Sequence, residues 1–214
     1  MKKIILSAIA ICAFGFANAQ SNKQGTMHVN VMGGFLMGSS TNQNDAAGSP
    51  KLKYTATGAN FGAQFQYGIA EKFSVGIGLE LGTAALTPKD LYGSASSTDV
   101  STFKFNLSGR YYILNQDKYN VYAGPSIGYM SGKDTTSALF GSLSSTSTKY
   151  SGLNYGVNLG GNYFFTDVVG LILNVGYEGN SLKSTMSESG FSDETGKATL
   201  GGVKVMVGLA LKFK

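Results

Sequence analysis

Val203-Lys204-Val205-Met206-Val207-Gly208-Leu209-Ala210-Leu211-Lys212-Phe213, near the end of the chain, alternates without a break. Successive side chains of a strand point to opposite faces. Val203, Val205, Val207, Leu209, Leu211 and Phe213 therefore share one face, and Lys204, Met206, Gly208, Ala210 and Lys212 share the other. Residues 73–82 behave alike: Phe73, Val75, Ile77, Leu79 and Leu81 oppose Ser74, Gly76, Gly78, Glu80 and Gly82. In 103–113, Phe103, Phe105, Leu107, Gly109, Tyr111 and Ile113 oppose Lys104, Asn106, Ser108, Arg110 and Tyr112. Helical spacing is nearly absent, so the chain reads as all-β.

Extended along the sequence, the same reading gives eight strands, at about 27–37, 54–68, 73–85, 100–114, 119–131, 150–165, 168–178 and 198–213. Three connections are tight: Ala70-Glu71-Lys72, Asn115-Gln116-Asp117-Lys118 and Thr166-Asp167. The others, 38–53, 86–99, 132–149 and 179–197, are long and rich in Ser, Thr, Asn and Gly. An even number of antiparallel strands with short turns at one end and long loops at the other predicts an up-and-down transmembrane β-barrel, turns in the periplasm and loops outside the cell. About ten residues rising ~3.3 Å each at a tilt of ~45° span roughly 25 Å, the height of the apolar band of an outer membrane.

Composition agrees. Charged residues make up 14% of the 214, against about 25% in soluble domains. Hydrophobic residues at 43% exclude wholesale disorder. One histidine and one cysteine exclude a metal site built from those residues, which takes three or four ligands. The N-terminus reads as an address: Lys2-Lys3, an apolar run from Ile4 to Ala17, then Ala17-Asn18-Ala19 before Gln20, the order of a secretory signal. Residues 1–19 are expected to be removed, leaving 20–214 as one barrel domain. Cys12 leaves with the signal, so the product holds no disulfide. Loss of Lys2 and Lys3 lowers the formal net charge from +5 to +3 (5 − 2), too weak to argue for nucleic acid. After the signal, the longest apolar run, Val168 to Val175, is too short for a transmembrane helix. Strands that enter a membrane must close into a barrel, which leaves no backbone group unpaired in lipid.

A soluble sandwich also has one apolar face, and its polar face is dense in Lys and Glu. Here the polar face is mostly Gly, Asn, Gln and Ser, with Glu80, Lys104, Arg110, Glu178, Lys204 and Lys212 its few charges. The apolar face carries none, as lipid exposure demands: a Lys or Arg there costs about 2–4 kcal/mol at the bilayer midplane. Aromatics gather near strand ends, among them Tyr67, Phe73, Tyr111, Tyr163, Phe165 and Phe213, as interfacial girdles do.

The signal, the eight alternating strands, the long Ser/Thr loops and the ending Leu209-Ala210-Leu211-Lys212-Phe213-Lys214 resemble the small outer-membrane β-barrel family of the OmpA transmembrane domain and OmpX-like, porin-family proteins. The resemblance covers roughly residues 25–214 and rests on patterns, so it speaks to fold more than to activity. It implies a location in the cell outer membrane, a monomer, contact with outer-membrane lipid and lipopolysaccharide, and delivery by the barrel-insertion machinery. In the family a terminal aromatic marks the last strand for that machinery; here Phe213 is penultimate. Full-length OmpA-type proteins carry a peptidoglycan-binding domain, and none is expected after this barrel.

An eight-stranded barrel is just wide enough inside for side chains to fill. Glu178 and Lys204 fall on adjacent strands at similar depth, and Glu80 neighbours Lys104 and Arg110. These five form the expected lumen charge network. Inward glycines such as Gly62, Gly76, Gly78, Gly124, Gly128, Gly156, Gly160, Gly176 and Gly208 are expected to leave room beside the charges. Acyl-transfer chemistry needs a nucleophile, a base and an oriented carboxylate. The one histidine, His28, falls at the periplasmic end with Asn30 at the next inward position, so no catalytic residue and no cofactor is expected. Gly76-Ile77-Gly78 lacks the strand-to-helix context of a dinucleotide site. Pro125 is expected to force a bulge or an early break, and the Ser/Thr segment 135–148 to form a solvated loop.

The functional reading is a side-chain-filled outer-membrane barrel, structural or adhesin-like, whose loops meet host or phage surface ligands. The alternatives are a small porin or channel for ions or small solutes and a soluble exported barrel binding an apolar ligand.

Overall fold

A computed structural model describes residues 21–45, 49–89, 98–136, 146–188 and 194–213. The signal segment 1–19 with Cys12, and residues 137–145 of the Ser/Thr segment, lie outside the described residues. Eight strands follow in chain order: β1 (Met27–Asn44), β2 (Leu52–Ala70), β3 (Phe73–Pro88), β4 (Thr98–Asn115), β5 (Tyr119–Thr136), β6 (Thr146–Phe164), β7 (Val169–Glu188) and β8 (Glu194–Phe213). Each pairs antiparallel with its neighbours in sequence, and β8 returns to β1 to close the barrel. The closing ladder runs from Met27↔Phe213 to Asn44↔Gly196 without a shift.

Inside and outside follow one rule. Among the described residues, all buried apolar side chains carry even numbers. The large exposed ones carry odd numbers, apart from Leu52, Val168 and Met186 at strand ends. Phe35 is 65% and Val207 58% exposed on the outer wall, whereas Glu178 is 4% exposed inside. A solvent-facing wall of Val, Leu and Phe on every strand with acids and amides buried is the inverse of a soluble protein, and it fits a hydrocarbon environment.

The strands exceed the sequence expectation at their loop ends. β1 runs on to Asn44 and β7 to Glu188, where loops were expected from 38 and 179. These extensions are Ser- and Thr-rich and lack apolar alternation, the signal that sequence reading uses. They stay extended because a closed barrel gives every strand two hydrogen-bonding neighbours. A 20-residue strand such as β7 rises roughly 45 Å at a ~45° tilt, well beyond the apolar band of about 25 Å. The loop-side part of the barrel thus extends beyond the height of such a band.

Pro125 neither ends β5 nor shifts its register. β5 continues through it, and β6 holds constant register at Pro125↔Val157. The β4–β5 ladder pauses between Ser108↔Ser126 and Tyr111↔Ala123 and resumes in the same register; its shift comes later, between Tyr112 and Leu114. The missing N–H therefore interrupts pairing on one side without changing alignment.

At the short-turn end the chain before β1 is stitched across the turns. Ser21 N–H donates to Gln116 O at 2.8 Å, and Asn22 N–H to Asn115 Oδ1 at 2.9 Å. Asn22 Nδ2 donates to Ala70 O at 2.9 Å and Glu71 O at 3.0 Å. Asn115 Nδ2 returns bonds to Asn22 O and Glu71 O. Gly25, at φ 86°, makes the bend that leads this strap into β1.

Candidate functional site

The inward side chains form stacked layers. On the short-turn side an apolar plug joins Met32, Tyr112, Tyr122, Phe164, Ile172, Met206 and Ala210. On the outer side a second plug joins Leu36, Ala56, Met130, Leu182, Ala198 and Leu200. Between them lies a charged layer.

That layer has four members, each cation touching both anions. Lys104 on β4 donates to Glu80 Oε1 on β3 at 3.1 Å and to Glu178 Oε1 on β7. Lys204 on β8 donates to Glu80 Oε2 at 2.8 Å and to Glu178 Oε2 at 2.6 Å. Lys104 and Glu178 lie three strands apart around the eight-strand ring, as do Lys204 and Glu80, so the contacts reach across the lumen. Asn180 also donates to Glu178 Oε1, at 3.2 Å. Two lysines and two glutamates cancel in formal charge. The Lys104 side chain is 1% and the Lys204 side chain 13% exposed. In such a buried cluster, losing one partner strands a charge in a low-dielectric interior.

Arg110 stays out of the square. It lies lower, donates through Nη2 to Gln64 Oε1 and stacks its guanidinium over the Tyr122 ring at 4.0 Å. The sequence expectation of a five-residue network is corrected to four: Glu80 is paired directly across the ladder with Lys104, not with Arg110, whose partner is Ser74 in register. His28 is buried against Phe164, ring centroids 5.8 Å apart, at the short-turn end. Phe213 ends β8 on the outer face, paired with Met27.

The glycine expectation also changes. A Cβ at Gly124 would fall 1.9 Å from the Gly109 carbonyl oxygen, and one at Gly208 1.9 Å from that of Val31. These glycines let neighbouring backbones approach closely; they do not open space for solute. Gly78, whose Cβ would meet nothing nearer than 3.7 Å, is an exception. Space in the lumen is correspondingly divided. A cavity of about 60 Å³ lies between the charged layer and the lower plug, bordered by Gln64, Ser108, Asn158 and Asn174, room for about two waters. Above the upper plug a vestibule of about 230 Å³ opens outward, bordered by Tyr54, Asp134, Thr148 and Tyr150. A recess of about 1020 Å³ on the outer wall, lined by residues such as Phe65, Ile77, Leu107 and Tyr155, faces lipid.

Two features escaped sequence reading. The strap at Ser21 and Asn22 precedes the first alternating segment. A set of outward lysines, Lys133, Lys149, Lys183 and Lys197, falls on strand extensions that read as loops. Among the described residues no group of three or more His, Cys, Asp or Glu side chains is placed to hold a metal ion.

A closed eight-stranded barrel with an apolar outer wall and a charged, side-chain-filled interior is a transmembrane barrel of an outer membrane. The sequence profile of the family described as outer membrane protein beta-barrel domain matches residues 18–187, and the chain belongs to that family. Solved structures agree in fold. OprG of Pseudomonas aeruginosa superposes with a TM-score of 0.70 at 17% identity, covering 92% of this chain and 99% of that one. AlkL, solved in DMPC lipid bilayers, gives 0.56 at 12% identity, with 92% and 94% covered. A major outer membrane protein of Thermus thermophilus gives 0.51 at 12% identity, with 89% and 100% covered. No curated protein sequence matches. The location is the outer membrane, which overturns the alternative of a soluble exported barrel.

Proposed function

We propose that this protein is a non-conducting outer-membrane barrel that serves as a structural and surface-interaction protein, presenting the projecting strand ends and the loops above them. The observation that carries this reading is the charged square of Glu80, Lys104, Glu178 and Lys204 spanning the lumen between two apolar plugs. An ion crossing would have to part four paired charges and two dry layers. Nothing in this role requires catalysis or a cofactor. The partners that follow are outer-membrane lipid and lipopolysaccharide around the wall, the insertion machinery at the strand ending in Phe213, and host or phage surface ligands at the loops. The protein acts as a monomer, its barrel complete within one chain.

The second reading, a narrow channel for ions or small solutes, draws support from the polar cavities on both sides of the charged square. Planar-bilayer recording of the folded barrel decides between them. Little or no conductance is expected, and large stable steps would refute the closed lumen. Liposome swelling with small solutes gives the same answer for uncharged cargo.

A further inference from the structure

Above the apolar band, the outward positions of four consecutive strands carry lysine. Lys133 on β5 lies directly across the ladder from Lys149 on β6. Lys183 on β7 lies directly across from Lys197 on β8. Lys149 pairs with Thr185 and Ser151 with Lys183, so Lys149 and Lys183 are diagonal neighbours. The four side chains therefore form one unbroken row, all exposed. Four strands at a spacing of about 4.8 Å make the row roughly 14 Å long.

Like charges directly opposite across a ladder destabilise a sheet. Among the described residues no carboxylate forms a salt bridge with any of the four. The row's height identifies what would offset the repulsion. On β5 the last large apolar residue on the outer face is Tyr129, followed by Ser131 and then Lys133, and on β6 Leu153 gives way to Ser151 and then Lys149; on β7 and β8, Lys183 and Lys197 lie six residues beyond Tyr177 and Val203. Four residues of a tilted strand rise roughly 9 Å and six roughly 14 Å, and lysine stems reach back toward the interface. The row thus climbs obliquely through the headgroup zone of the outer leaflet, Lys133 and Lys149 lower and Lys183 and Lys197 higher.

We propose that Lys133, Lys149, Lys183 and Lys197 form a binding site for the phosphate groups of an outer-leaflet glycolipid of the lipid A class. This deepens the lipopolysaccharide contact proposed above and rests on the same orientation of the barrel, though not on whether the lumen conducts. A row of point charges on separate strands suits a headgroup bearing more than one phosphate, and the arrangement uses ammonium groups without any pocket.

The test uses the mature barrel, folded in neutral detergent, with diphosphoryl lipid A, its dephosphorylated form and a soluble sulfated polysaccharide as probes. Diphosphoryl lipid A is expected to raise the thermal midpoint by about 4 °C or more, with the gain shrinking as salt is added. The dephosphorylated form should raise it far less. In the Lys133→Ser/Lys149→Ser/Lys183→Ser/Lys197→Ser variant the phosphate-dependent gain should vanish. Equal gains from both lipid forms, or an undiminished gain in the variant, would overturn the site. A larger effect from the sulfated polysaccharide would overturn the lipid assignment in favour of a glycan. If the quadruple variant fails to fold, Lys197→Glu alone, which exchanges a like pair for an opposite one, must still lose about half the gain or the proposal fails. The readout is independent of conductance, so a conducting barrel with an intact lysine row would refute only the closed lumen.

Discussion

Lysine is used in two opposite ways in this barrel. In the lumen, Lys104 and Lys204 each contact both Glu80 and Glu178, and formal charge cancels within one small group. On the outer rim, Lys133 faces Lys149 and Lys183 faces Lys197. The dielectric explains the contrast. A buried cation without a partner is penalised severely, so the chain supplies the partners itself. A cation at the water–headgroup boundary is screened, and its counter-charge can come from outside the chain. Balance within the protein marks a structural role; imbalance at the rim marks a surface built for something else to meet.

The largest effect should come from breaking the inner balance. Glu178→Ala leaves Lys104 and Lys204 sharing one carboxylate, and denaturant unfolding of the folded barrel should report a loss of about 3–5 kcal/mol. Glu178→Leu combined with Lys104→Met removes one charge of each sign and should recover most of that loss, because apolar replacement of a buried pair is often neutral. A double variant as unstable as the single one would mean that the square's geometry, not its neutrality, matters. If the square also closes the lumen, Glu178→Ala should conduct more than the wild type in planar bilayers.

A smaller effect is expected below the charged layer. A Cβ at Gly160 would lie 2.5 Å from the Tyr122 hydroxyl. Gly160→Ala should push Tyr122 from the lower plug and cost about 1–3 kcal/mol, as overpacking does. No change in stability would show that the plug yields easily.

The smallest effect lies on the rim and has the opposite sign. Lys197→Glu turns the pair with Lys183 from like to opposite charge, and in neutral detergent should stabilise the barrel by about 0.2–1 kcal/mol. Destabilisation there would mean that the facing lysines do not repel, and the contrast between rim and lumen would lose its basis.

Much of this was legible in the sequence. The alternation of 203–213 and 73–82 set wall against lumen, and Thr166-Asp167 marked a tight turn. Three things were not. The top of β1 holds no large apolar side chain and that of β7 only Leu182 and Met186, so no run of hydrophobic alternation marks them as strand, and the lysine row on such extensions is hidden with them. Contacts across the ring, such as Lys104 with Glu178, are invisible to reasoning about adjacent strands. Arg110 was placed on the correct face and strand, but its height beside Gln64 and Tyr122 depends on the stagger between strands, which ladder closure fixes and local pattern does not.

The even–odd rule has a consequence for how such a chain can change over time. From His28 to Lys212, inward positions keep the same parity through every strand. Inserting a single residue within a strand would swap hydrocarbon and interior for the remainder of that strand, unless a bulge absorbed it. Length variation among descendants of this gene should therefore collect between the strand tops and, inside strands, arrive two residues at a time.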